Sequence, residues 1–123
     1  MDTNKTTYQI IGCAYKVHSK LGPGLLESTY EFCLMAELIN AGFKVERQVS
    51  LPIVYNDKFL EFGYRIDLLI NDEIIIELKA VDEIAPVHKA QLLTYLKLSG
   101  KKIGLLINFN VESLKKGIIR MVN

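Results

Sequence analysis

The chain has 123 residues, half of them apolar, with 15 basic and 14 acidic side chains and a formal net charge of +1. That size fits one domain, residues 1–123, around a modest core. The near-neutral balance excludes a protein that grips nucleic acid by bulk charge alone; a polyanion would need a local basic patch, for which Lys101, Lys102, Lys115 and Lys116 are the candidates.

The polar start M-D-T-N-K-T-T, with no apolar stretch behind it, does not read as a secretory signal. No run approaches the roughly 18 consecutive apolar residues of a membrane span. The two cysteines, Cys13 and Cys33, have no C-x-x-C spacing and no histidine partner, and read as small core residues in a reducing compartment. The cytoplasm is the expected location.

Residues 6–21 place Ile10, Ile11, Ala14, Val17, His18 and Leu21 on one helical stripe, ended by Gly22-Pro23-Gly24. A second helix is predicted from Leu25 to Asn40, with Leu26, Tyr30, Cys33, Leu34 and Leu38 facing inward. Residues 43–55 alternate as a strand, with Pro52 pointing to an edge or a bulge. Strands follow at 58–70 and 74–80, a third helix at about 87–98, and a continuous apolar strand at 103–109, as expected for a buried central position. A last short strand is predicted in the tail G-I-I-R-M-V. A three-strand meander, a crossover helix and a parallel strand make an α/β domain with a mixed sheet.

The run D-L-L-I-N-D-E-I-I-I-E-L-K, residues 67–79, concentrates charge in a hairpin. A two-residue turn at Asn71-Asp72 would set Asp67 against Ile76 and Ile66 against Glu77, mixing apolar and charged residues on both faces. A three-residue loop at Asn71-Asp72-Glu73 pairs Ile70 with Ile74, Leu68 with Ile76 and Ile66 with Leu78. Register follows the hydrophobic pattern, which selects the second arrangement. It sets Asp67 against Glu77 and Arg65 against Lys79, two like-charge pairs that each cost a few tenths of a kcal/mol to about 1. A hard divalent cation between the acids would relieve the first, and a phosphate the second. The bland alternative is a sheet face whose charges point to water.

Glu27, in the first turn of the second helix, is either a dipole-complementing acid or a third carboxylate for the same cation. Gln91 and Tyr95, four apart on the third helix, share a face that could close over the hairpin, and His88 lies on that stripe without an assigned role. No P-loop, G-x-G-x-x-G, G-x-S-x-G or H-E-x-x-H is present.

The segment G-L-L-E-S-T-Y at 24–30 resembles the G-x-x-E-x-x-Y signature of a group of small bacterial and archaeal proteins within the PD-(D/E)XK nuclease superfamily. Asp67 is similar to that superfamily's acidic D, Glu77-Leu78-Lys79 to its E-x-K, and the residues from Gln91 to Tyr95 to the Q-x-x-x-Y of its exonuclease-like branches. The likeness covers about Tyr8 to Val122; Ile66 stands where the motif has proline. It implies a restriction-endonuclease-like three-layer fold with a mixed central sheet flanked by helices. It also implies a Mg²⁺- or Mn²⁺-dependent phosphodiesterase acting on nucleic acid, DNA favoured over RNA. The metal would be held by Asp67, Glu77, the Leu78 carbonyl and Glu27. Lys79 would act on water or phosphate, Gln91 and Tyr95 would fix the phosphate, and Tyr30 would pack beside Glu27. The small size leaves little surface for gripping a duplex unless the protein forms a homodimer or joins a larger complex. A catalytically inactive module binding nucleic acid or a protein, and a hydrolase of small phosphorylated molecules, are the alternatives from other classes.

Overall fold

The computed structural model describes residues 3–61 and 63–123. Helices α1 (Thr3–Leu21) and α2 (Glu27–Asn40) come first, then strands β1 (Val45–Ser50), β2 (Ile53–Tyr55), β3 (Lys58–Leu60), β4 (Arg65–Ile70) and β5 (Ile74–Lys79). Helix α3 (Pro86–Ser99), strand β6 (Ile103–Asn108), a 3₁₀ turn (Leu114–Gly117) and strand β7 (Ile118–Val122) complete the chain.

The main sheet has five strands in the order β1-β4-β5-β6-β7. All neighbours are antiparallel except β5 and β6, which run parallel because α3 carries the chain back across the sheet. One face packs Leu68, Ile70, Ile74, Ile76, Leu78, Leu105 and Ile107 against Ile10, Ala14, Val17, Tyr30, Leu34 and Leu38 of α1 and α2. The other packs Leu69, Ile75 and Leu106 against Leu92, Tyr95 and Leu96 of α3. This is the expected three-layer arrangement, and β6, buried along its whole length, occupies the interior position its apolar run implied.

Two expected strands are broken. The stretch 43–55 divides at Leu51-Pro52, where the Leu51 amide turns to donate to the Tyr64 carbonyl (2.9 Å). The stretch 58–70 divides too, β3 ending at Leu60 and β4 beginning at Arg65. Proline cannot donate to a ladder, so pairing of the main sheet stops before it. The pieces beyond, β2 and β3, form a separate two-stranded ribbon that exposes Val54, Tyr55 and Phe59. The helical stripes also need correction at their ends. Leu26 is 73% exposed, because its backbone is extended (φ −69°, ψ 147°) and α2 begins only at Glu27. Leu21, at the last turn of α1, is likewise exposed. Cys13 is buried and Cys33 half-buried, both as free thiols.

The loop joining β4 and β5 is the predicted three-residue one. Ile70 pairs with Ile74 and Leu68 with Ile76, and Asn71 and Asp72 take left-handed backbone (φ 52° and 56°), which asparagine and aspartate tolerate better than other side-chain-bearing residues. Asn71 ties this tip to the start of β1, since its amide donates to the Lys44 carbonyl (2.9 Å) and its Oδ1 accepts from the Lys44 amide (3.0 Å).

Candidate active site

The β4–β5 ladder stops just short of the two acids: its last paired residues are Leu68 and Ile76. Beyond that point the carboxylates take over the backbone hydrogen bonding. The Asp67 amide donates to Glu77 Oε2 (2.8 Å), and the Leu78 amide donates to Asp67 Oδ2 (2.9 Å). Asp67 and Glu77 are therefore clasped across the strands instead of merely facing each other. The expected opposition of Ile66 to Leu78 and of Arg65 to Lys79 does not enter the paired register; Arg65 is exposed and pairs with Ser50 of β1.

The side-chain alternation of β4 also changes phase here. Leu68 and Ile70 join the α1/α2 core and Leu69 the α3 core, yet Ile66 lies with Leu69 on the α3 side. Regular alternation would put Ile66 with Leu68. Across from this break, β1 skips a pair: Arg47 pairs with Leu68 and Val49 with Ile66, leaving Gln48 beside Asp67 without a ladder partner. Gln48 has a left-handed backbone, φ 53°.

Burial decides the electrostatics. Glu77 is only 5% exposed, and its pKa is pushed up to about 8, first by desolvation and then by the charge of Asp67, with Lys79 opposing. Asp67 is raised too, chiefly by desolvation; the Leu78 amide, Gln48 and Lys79 counteract, while Glu31 reinforces. Lys79 is half-buried at the end of β5, and its carbonyl accepts from the Phe109 amide (2.9 Å), which fixes the strand end. Its charge bears on Asp67, Glu77 and Glu27 alike.

Glu27 opens α2 and lines, with Leu26, Ser28, Glu31, Arg47, Gln48 and Asp67, an open cleft of about 490 Å³. It sits at the exposed mouth, yet enough protein surrounds its carboxyl to raise the pKa by desolvation, with Lys79 opposing and Asp67 adding to the rise. Tyr30 fastens the approach to Glu27: its hydroxyl donates to the Gly22 carbonyl (2.5 Å) and accepts from the Leu25 amide (3.2 Å). Its ring stacks on Phe109 at 4.6 Å and 8°. On α3, Tyr95 is buried; its phenol pKa rises by desolvation and then by Glu77 and Asp67, so it lies within their field. Gln91 is half-buried one turn earlier. His88 caps α3, its Nδ1 accepting from the Ala85 amide at 3.0 Å.

Three site residues were not singled out from the sequence. Glu31 is 5% exposed, accepts from Arg47 Nε (2.6 Å) and from Gln48 Nε2 (2.7 Å), and Gln48 Nε2 also donates to Asp67 Oδ1 (3.3 Å). Arg47 lies over the ring of Phe32, 4.5 Å from its centroid. The four-residue spacing of Glu27 and Glu31, which puts both on one helix face, was the only available signal for Glu31. Of the candidate basic patch, Lys101 is committed to Asp72 (3.3 Å), and Lys101 and Lys102 lead into Ile103, which pairs with Ile74. That is the end of the sheet away from Lys79, so these two lysines do not serve the cleft.

The sequence profile of the PD-(D/E)XK nuclease superfamily matches residues 4–121. The chain belongs to that superfamily. Comparison with curated protein sequences and with solved structures gives no match. Superfamily nucleases typically use divalent metal ions, and the donor set here suits one: oxygen ligands on a buried acid, Glu77, and a half-buried one, Asp67, whose mutual repulsion a hard cation would cancel. Among the described residues no three His, Cys, Asp or Glu side chains form a ready-made metal cluster. Two carboxylates completed by water and substrate is the usual provision for Mg²⁺. No helix among the described residues is long and apolar enough to cross a membrane.

Proposed function

We propose that residues 1–123 form one PD-(D/E)XK domain of the G-x-x-E-x-x-Y group, and that it is a divalent-metal-dependent nuclease hydrolysing phosphodiester bonds, DNA in preference to RNA. The observation that carries this is the clasp of Asp67 and Glu77, with Glu77 pushed up to about 8 by burial and by its neighbour, and Lys79 on the same strand. Buried like charges of this kind are a local expense that function explains better than folding does.

Asp67 and Glu77 would hold Mg²⁺ or Mn²⁺, with the Leu78 carbonyl and Glu27 as further oxygen donors. Such an ion, when bound, polarises a phosphoryl oxygen and lowers the pKa of water. Lys79 carries the positive charge that stabilises the phosphate as negative charge grows on it. Tyr95 and Gln91, on α3, would donate hydrogen bonds to phosphate, and Arg47 lines the cleft mouth as a cation.

The net charge of +1 favours a second reading, an inactive nuclease-fold module that binds nucleic acid or a protein. One experiment separates the two. Purified protein is incubated with Mg²⁺ or Mn²⁺ and linear, circular, single- and double-stranded DNA and RNA, beside Asp67→Asn and Lys79→Ala. Cleavage by the wild type, lost in both variants, is expected. A wild type that cuts none of these, or variants that cut equally well, would refute the nuclease, and binding without cleavage would favour the module.

A further inference from the structure

Gln48 occupies a backbone conformation that suits another residue. A left-handed φ of 53° is open to glycine without penalty, whereas a side chain with a Cβ is strained there. The strain comes with a missing pair in the β1–β4 ladder, and the register on either side is unchanged, so no slip of the strand accounts for it. Backbone strain of this kind persists where the surroundings over-determine it, and it clusters at functional sites.

What glutamine gives in return is its carboxamide. A single NH₂ group donates to Glu31 Oε1 at 2.7 Å and to Asp67 Oδ1 at 3.3 Å. A neutral group with two donors on one nitrogen can sit between two carboxylates and satisfy both without adding charge. A glutamate there would add a third repelling acid, and a lysine would add a positive charge competing with a cation for Asp67. The amide is itself held in place: the other oxygen of Glu31 accepts from Arg47 Nε at 2.6 Å, and the Arg47 guanidinium rests on Phe32. Glu31 is thus fixed at both oxygens, and it aims the amide. With Oδ1 tied to Gln48 and Oδ2 to the Leu78 amide, the Asp67 carboxylate has one orientation.

We propose that Gln48 is a positioning residue, an amide anchored on Glu31 and Arg47 that sets the orientation of Asp67 for the cation shared with Glu77. The cation rests on the nuclease reading above; the orientation of Asp67 does not. Groups that orient metal ligands typically change metal affinity about 10–100-fold when removed.

Gln48→Gly in the full chain separates positioning from structure, because glycine suits the backbone and deletes the amide. The expected result is an unchanged or higher melting temperature, Mn²⁺ affinity by calorimetry lowered about tenfold or more, and hydrogen exchange of the Leu78 amide accelerated in the metal-free protein. Wild-type exchange at Leu78 overturns the inference, and so does a melting temperature several degrees lower, which would mark Gln48 as structural. A wild type that binds no Mn²⁺ refutes the metal reading instead, and exchange at Leu78 then decides the positioning role by itself.

Discussion

Replacing Glu77 with glutamine tests the electrostatics of the site without requiring a substrate. The Glu77 carboxyl moves from 4.5 in the unfolded chain to about 8 in the fold, so between these values the native state holds a proton that the unfolded state has released. Stability therefore falls as pH rises through that window and levels off above it. Asp67, raised in the same direction, adds to the trend. The Glu77 shift corresponds to roughly 5 kcal/mol as an upper bound. Even ~2 kcal/mol would lower the melting temperature by about 6–10 °C in a chain of this size. Glutamine keeps an oxygen to accept from the Asp67 amide and never ionises. Glu77→Gln should then melt above the wild type at pH 8.5, match it more closely at pH 5.5, and keep only the smaller pH slope that Asp67 supplies. Mg²⁺ at pH 8.5 should raise the wild-type melting temperature by binding the ionised pair, and leave the variant unmoved. Calorimetric melting at both pH values, with and without Mg²⁺, reads all of this. Equal pH slopes in the two proteins would refute the reasoning.

Tyr30→Phe should cost about 1–2 kcal/mol in denaturant unfolding, since it deletes the hydroxyl bridging Gly22 and Leu25 while keeping the stack on Phe109. An unchanged midpoint would remove the loop-fastening role. Arg47→Ala should raise KM for nucleic acid far more than it lowers kcat and reduce the salt slope of binding by about one; an unchanged slope would mean that Arg47 serves only Glu31. Gly117→Ala should destabilise by several kcal/mol, because a Cβ there would collide with the backbone carbonyl of Asn108, which cannot rotate away. Gly104→Ala should be milder, the Cβ meeting the movable Leu92 side chain at 2.8 Å; the two unfolding midpoints, compared directly, check the order.

Much of this architecture could be read from hydrophobic pattern. The parallel strand at 103–108 and the hairpin register follow from where isoleucine and leucine must go, and a one-residue slip would have moved each of them from one helix-covered face to the other. The break at Pro52 was visible only as a proline, and its consequence, a detached ribbon, depends on Leu51 finding Tyr64 across the chain. Leu26 misled because a periodic residue can precede the first helical turn. Arg47 and Gln48 were not legible at all, and Glu31 only through its four-residue spacing from Glu27. Their importance arises from a backbone twist at one residue and from contacts 16 to 19 positions apart, which no local pattern encodes.

The skipped pair at Gln48 and Asp67 is fenced on both sides. Asn71 locks to Lys44 at one end of β1, and the Leu51 amide holds the Tyr64 carbonyl at the other. The sheet thus contains a framed window: the ladder skips one rung and resumes in step, and at that gap Gln48 links Glu31 of α2 to Asp67. Chemistry at that opening can vary by exchange of the few residues around the frame. The apolar layers on either face are left as they are, and a fold of this size can keep ionisable groups beside its core without coming apart around them.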